Sequence, residues 1–433
     1  MCFIGRKRFN FANDMRHKML WAAVALMMMT ACSSDDDESI VNPEDNEWTP
    51  ISLTRAEQEL VTGNNDFAFN LFRLAGPRKI WVEDPEKGII LSPISITYAL
   101  GMLNNGAAGE TLQQINKVLG FNNADEVNAF CKKMLTEALH LDKLTKVQIA
   151  NNIYVNKDYT LNPVFVEKAN DFYDAQPETR DFADGKTLDI INRWASDHTE
   201  RMIEKVLSEK EFRSDAVSYL LNAIYFKGTW KEKFKKEETK EEAFKSAGKK
   251  VPMMHQQKKF LYADKGDYEA LQLPYDNGAY SMTILLPKEG KTTYDIAQGL
   301  TAESWKTMWQ SGVPSEGAIV DVKLPRFETN TDLDLVETMS RLGMPNAFDP
   351  QTAEFPDFCN TPTFIGLMKQ VARIKVSEEG TEAAAVTEIG MLNSLAGPSQ
   401  PIHVDFHADH PFIYMISEKS TGTIFFIGHY TGL

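Results

Sequence analysis

Glu378-Glu379-Gly380-Thr381-Glu382-Ala383-Ala384-Ala385-Val386-Thr387 is the stretch on which the reading of this chain turns. Just before it, Ala372, Ile374 and Val376 alternate with Arg373, Lys375 and Ser377, the period-2 pattern of a half-buried strand. Gly380 permits an abrupt backbone change. Consecutive small residues follow, and the chain runs on to Gly397-Pro398. Written as a strand, the residues after Gly380 place Thr381, Ala383, Ala385, Thr387, Ile389 and Met391 on one face. Glu382, Ala384, Val386, Glu388, Gly390 and Leu392 fall on the other. The first face carries no charge and begins with small groups, which suits burial on one side only. The same residues suit an alanine-rich helix, because Glu-Ala-Ala-Ala is a good helix former. They also suit an exposed loop bounded by Gly and Pro. On the residues alone, all three states stay open.

Outward from this segment, helices and strands are interleaved. Ala56 to Leu74 has apolar residues at helical spacing, and Ile94 to Leu103 follows Ser92-Pro93, a helix start with Pro in the first turn. Thr111 to Leu119 reads as a short amphipathic helix ending at Gly120. Lys146 to Val155 reads as a strand, Leu188 to Leu207 as a helix, and Ala216 to Phe226 as a buried central strand. Two strands between Leu271 and Leu286 flank the hairpin signal Asp276-Asn277-Gly278, and Thr423 to Ile427 is a last β-rich run. The order is not a regular βαβ repeat, which favours an α+β fold with mostly antiparallel sheets. No Gly/Ser-rich linker or internal repeat divides residues 55–433, so they read as one domain.

The 433 residues are 43% hydrophobic and 25% charged, ordinary values for a globular chain with a large core. A formal net charge of -15 argues against a nucleic-acid partner. The basic run from Lys227 to Lys236 is interleaved with Glu232 and aromatic residues and reads as a solvated strand end rather than a polyanion site. Cys131 and Cys359 form no C-x-x-C pair and are expected to be free. There is no G-x-S-x-G, H-E-x-x-H, P-loop or G-x-G-x-x-G, so no catalytic residue and no cofactor is expected. The nearest approach to a site is His403-Val404-Asp405-Phe406-His407-Ala408-Asp409-His410. Positions 403, 405 and 407 share a strand face and offer metal-ligand types, with His403, His407 and Asp409 as the enzyme-like set. The competing reading, a strand with polar residues on its solvent face, is the one expected to hold.

At the N-terminus, Arg16 and Lys18 precede the short apolar run Met19 to Ala31, the layout of a signal peptide and too short to span a membrane. The sequence Met29-Thr30-Ala31-Cys32 resembles a lipoprotein cleavage box, which implies acylation at Cys32; a signal peptide that merely contains Cys32 is the alternative. Ser33-Ser34-Asp35-Asp36-Asp37-Glu38 resembles the surface-export signal of Bacteroidetes lipoproteins, and equally makes a solvated tether. Residues 1–32 are thus read as signal and 33–54 as tether. A secreted, outer-membrane, surface-exposed or extracellular lipoprotein is expected.

Several ordered motifs make the chain resemble the serpin family. The stretch Glu378 to Thr387 resembles the hinge of inhibitory serpins. Leu91-Ser92-Pro93-Ile94-Ser95, Gly106-Ala107-Ala108-Gly109-Glu110-Thr111 and Asn222-Ala223-Ile224-Tyr225-Phe226-Lys227-Gly228-Thr229-Trp230 are similar to family signatures. So are Leu273-Pro274-Tyr275, Leu324-Pro325-Arg326-Phe327, and Phe406-His407-Ala408-Asp409-His410-Pro411-Phe412 with Gly422 to Gly428 at the end. The resemblance implies three mainly antiparallel β-sheets, about nine helices and an exposed reactive-centre loop, here about residues 379–402. It implies suicide inhibition of a serine or cysteine endopeptidase by insertion of the cleaved loop into a sheet. By family spacing the scissile bond falls at Ser394-Leu395, with Met391 and Leu392 as alternatives. The absence of Arg and Lys between Lys375 and Lys419 points to elastase-, cathepsin G-, chymotrypsin- or subtilisin-like targets. The hinge maps to Glu379 through Thr387, with Thr381 first to insert. A shutter maps to Ser92, Ser95, Asn222 and Gln370, and Trp230 to the breach where insertion begins. Many relatives carry His where Gln370 stands, and Gln can take over both hydrogen-bonding roles. The implied partner is a target protease, with the chain a monomer on a lipid anchor. A non-inhibitory serpin acting as a binding or structural protein is the alternative, for which Val386 is the mild departure from the hinge pattern.

Overall fold

The computed structural model describes residues 46–75, 88–245, 248–309, 318–381 and 402–432. Cys32, residues Glu382 to Thr387, and Met391, Leu392, Ser394 and Leu395 lie outside the described residues. The helices are α1 Arg55–Ala75, α2 Pro93–Asn104, α3 Gly109–Leu119, α4 Ala124–Glu137, α5 Pro163–Tyr173, α6 Lys186–Asp197, α7 Thr293–Gly299, α8 Ala302–Lys306 and α9 Val336–Leu342. The strands begin with β1 Ile89–Leu91, β2 Lys146–Asn156, β3 Gln176–Arg180, β4 Ser218–Thr229, β5 Lys240–Phe244, β6 Lys249–Asp264, β7 Tyr268–Pro274 and β8 Tyr280–Pro287. They continue with β9 Ala318–Pro325, β10 Phe327–Asp334, β11 Lys369–Val376, β12 Gly380–Thr381, β13 His403–His407, β14 Phe412–Glu418 and β15 Ile424–Tyr430.

One sheet has the order β10-β11-β12-β4-β2-β3. The other runs β1-β15-β14-β8-β7-β6-β9-β13, with β5 paired to β6. The α+β expectation holds, and pairing is antiparallel except at β2–β3 and β9–β13. The second and third expected sheets are continuous, because β6 is long enough to serve both. Its first part pairs with β5 and β9, and its last four residues, Leu261 to Asp264, with β7.

The core lies between the two sheets. β8, β14 and β15 are buried along their whole length, so they read as unbroken apolar runs rather than alternating ones. Phe226 of β4 meets Tyr280 of β8 and Phe426 of β15 edge-on at 5.8 and 6.4 Å, which joins the sheets directly. α2 is buried on nearly every side, as expected for a helix apolar all round. Its start is the Ser92-Pro93 signal: Ser92 accepts from the Ser95 N–H, and Pro93 occupies the first turn, where its missing N–H costs nothing.

Two expectations change. Helical spacing from Leu188 to Leu207 yields a helix only to Asp197. Beyond it Glu200 and Arg201 take left-handed φ of 48° and 63°. The Asn192 side chain then satisfies the backbone a continued helix would have used, accepting from Val206 and Leu207 N–H and donating to the Leu207 carbonyl. Ile203 and Leu207 remain buried, so the apolar period reflects packing of a loop. The last part of the expected tether also packs on the body. The Asn46 amide donates to Asp142 at 3.0 Å, its carbonyl accepts from Asn277, and buried Ile51 donates to Ser420 Oγ. No helix among the described residues is long and apolar enough to cross a membrane. Cys131 and Cys359 are buried and free, as expected.

Candidate functional site

β11 ends at Val376, the chain turns through Ser377 to Glu379, and β12 comes back between β11 and β4. Thr381 pairs with Val376 on one side and Gly228 on the other, and Gly380 pairs with Thr229. Among the described residues β12 spans Gly380–Thr381, and no pairing joins β4 to β11 below it. The two strands therefore border a slot, and at one end of it Gly380 and Thr381 pair with both.

Gly380 is required by contact. A Cβ there would lie 2.0 Å from the Gly228 carbonyl oxygen, at a φ of +150°. Thr381 is buried, and its hydroxyl shares a 2.6 Å hydrogen bond with Tyr275 Oη. Tyr275 stacks on Trp230 with ring centroids 4.6 Å apart. Trp230 Nε1 donates to the Ser377 carbonyl at 2.9 Å, and its backbone N–H to the Glu379 carbonyl at 2.9 Å. The expected breach residue thus holds the turn that feeds β12.

Glu378 and Glu379 are anchored. Glu378 is 2% exposed and takes two bonds from the Arg326 guanidinium and one from Thr239 Oγ1 at 2.7 Å. Burial acts to raise its carboxyl pKa, but the Arg326 and Thr239 bonds outweigh it and hold the group below its ordinary value. Glu379 pairs with Lys233 at 3.1 Å and Lys236 at 3.2 Å; burial is again outweighed, and its carboxyl too sits low. Two lysines of the basic run read as merely solvated therefore hold Glu379. Sequence reasoning also missed Tyr275 and Arg326 as partners. Both sit inside quoted motifs, but no local pattern says what they touch.

Farther from β12, each border of the slot is tied to the start of α2. Gln370 of β11 accepts from the Ser92 N–H at 3.1 Å and donates to the Ser92 carbonyl at 2.8 Å. Asn222 of β4 accepts from the Ser95 hydroxyl and donates to Asn151 Oδ1 at 2.7 Å. Ser92 Oγ donates to the Phe425 carbonyl at 2.8 Å. The structure thus brings Ser92, Ser95, Asn222 and Gln370 together, with Gln370 both donating and accepting. Gln370→Leu should orphan the buried Ser92 N–H, while the Ser92 carbonyl keeps the Ile96 N–H at 3.3 Å, at a cost of about 2 kcal/mol. A urea midpoint unchanged from the parent chain would show that this tie carries no stability.

Asp405 and His403 project from the exposed face of β13, while Phe406 is buried. Asp409 turns away to Lys245 and His410.

Comparison with known proteins agrees with this geometry. Residues 62–432 match the family described as Serpin (serine protease inhibitor). Serpin B4 of Homo sapiens is 33% identical over 395 residues, covering 86% of this chain and 99% of that protein. The leukocyte elastase inhibitor of Homo sapiens is 32% identical over 386 residues, with the same coverages. The native-state structure of the thermophilic serpin tengpin superposes with a TM-score of 0.77 at 26% identity, covering 90% of this chain and 98% of that one. Matched along almost its whole described length, and similar in fold over 90% of its residues, the chain belongs to the serpin family.

Proposed function

We propose that this chain is a suicide inhibitor that traps a serine or cysteine endopeptidase as an acyl-enzyme. The protease nucleophile attacks the carbonyl carbon of Ser394, the amine of Leu395 leaves, and an ester or thioester joins the two proteins. Residues from Glu382 onward then enter the slot between β11 and β4 and carry the bound protease with them, so that deacylation stalls. Met391 and Leu392 are the alternative points of attack.

The observation that carries this reading is the register of β12. Carried on residue by residue, it sets Ala383 between Ile374 and Phe226, and Ala385 between Ala372 and Ile224. All four neighbours are buried, and only small side chains suit such sites. Thr387 would arrive between Gln370 and Asn222, at the ties to α2. Glu382 falls on the opposite face between Lys375 and Lys227, where opposite charges across strands are favourable. At about 1 kcal/mol net per hydrogen bond, some ten inserted residues gain on the order of 10 kcal/mol.

The apolar loop residues favour elastase-, cathepsin G-, chymotrypsin- or subtilisin-like targets. Acylation at Cys32 would place the monomeric inhibitor on a bacterial outer membrane, facing outward at the end of an acidic tether.

The test is incubation of the full chain with pancreatic elastase, cathepsin G, chymotrypsin and subtilisin, followed by denaturing gels. The expected result is an SDS-stable band at the summed mass for at least one enzyme. Mass spectrometry of the released C-terminal peptide should place the cut at Ser394-Leu395. Clean cleavage by every enzyme with no such band would overturn the inhibitory reading in favour of a binding or structural serpin.

A further inference from the structure

The strands β6, β9 and β13 lie side by side, and among the described residues β13 is an edge strand paired with β9 alone. Their register places Asp405 opposite Asp321, and Lys323 between His407 on one side and His255 on the other. The side chains close on one another. One ligand atom each from Asp321, Asp405 and His407 lies within 4.8 Å of the other two. His407 Nε2 is 3.6 Å from Asp321 Oδ1, too far for a hydrogen bond. That nitrogen is buried and finds no hydrogen-bond partner among the described residues. A buried imidazole nitrogen left open toward two carboxylates calls for a cation. The nearest candidate on the same face, Lys323, is turned to Glu242, 2.8 Å away.

We propose that Asp321, Asp405 and His407 bind a divalent transition-metal ion of the zinc type. An imidazole with two carboxylates is a donor set such ions accept, and the two negative charges balance the ion's own. His255 Nε2 sits 2.7 Å from Asp321 Oδ1 and, donating its proton, fixes the carboxylate from outside the coordination shell. His255 is thus a positioning residue. Metal–ligand bonds of about 2.1 Å would require the three ligand atoms to close to roughly 3.4 Å. Rotation of exposed Asp405 supplies the movement. Asp405 and His407 also line an open cleft with His410, which gives the ion a path from solvent. The bound ion ties edge strand β13 to β9, and the site is independent of whether the chain inhibits a protease. His403 and Asp409 do not join the cluster.

The test is calorimetric titration of the full chain with zinc chloride at neutral pH, paired with thermal melts. A saturable single-site component is expected, weakened about tenfold or more by His407→Gln and by Asp405→Asn, and by His255→Ala to a lesser degree. His403→Gln should bind as the parent does. Zinc should raise the melting temperature of the parent and of His403→Gln, and not that of Asp405→Asn. Asp405 is exposed, so Asp405→Asn decides the matter should His407→Gln fold poorly. Absence of a saturable component, parent-like binding by Asp405→Asn, or equal loss in His403→Gln would each overturn the assignment.

Discussion

Thr381→Arg is expected to abolish the SDS-stable complex while leaving the loop open to cleavage, so that an inhibitor becomes a substrate. Thr381 is 1% exposed, lies between Val376 and Gly228, and shares a 2.6 Å hydrogen bond with the Tyr275 hydroxyl. A guanidinium at this position would need its donors desolvated beside the Trp230–Tyr275 stack. At ~4 kcal/mol, such a penalty slows entry into the slot roughly a thousandfold. Deacylation would then finish first. Thr381→Val keeps the shape and loses only one hydrogen bond, so it should inhibit within a few-fold of the parent. The measurement is the number of inhibitor molecules consumed per protease inactivated, read with the gel. Unchanged trapping by Thr381→Arg would sink the proposed route of insertion.

Arg326→Ala should give the largest loss of stability among the hinge partners. It leaves the Glu378 carboxylate at 2% exposure with Thr239 Oγ1 and no cation. Removing one partner of a buried pair costs about 3–5 kcal/mol. Arg326 is itself nearly half exposed, so the lower end applies, with a fall in melting temperature of about 4 °C. The pH dependence has a definite sign. The Glu378 carboxyl is held below its ordinary value, so the stability it contributes is present above the ordinary carboxylate range, near 4.3. That stability is lost as pH falls through the lowered folded value. The gap between parent and Arg326→Ala should be wide at neutral pH and close in acid. A gap independent of pH would mean that Arg326 acts by packing and not by charge.

Elements with local punctuation were readable from the sequence. Ser92-Pro93 opened α2, Gly120 closed α3 in a left-handed conformation, and Asp276-Asn277-Gly278 marked the turn between β7 and β8. The face assignment was readable at its first residue, since Thr381 is buried as a small uncharged position should be. Partners distant in sequence were not. Arg326 lies 52 residues before Glu378, and nothing in a period or a turn signal connects them. The end of α6 was missed for a related reason. Burial of Ile203 and Leu207 mimics helical periodicity while Asn192 takes over the backbone bonds. Docking of Asn46 and Ile51 was hidden by the polar composition around them.

The two-residue strand β12 bears on timing. Starting a new strand inside a sheet is slow because chain ends must be brought together before any pairing rewards the closure. Here Gly380 and Thr381 already hold that position in the uncleaved chain. In the proposed mechanism, cleavage would then leave no search for a first contact, and each following residue would add one step to a zipper whose teeth are in register. Success or escape would become a race between this propagation and hydrolysis of the acyl bond, begun with the slowest step already taken.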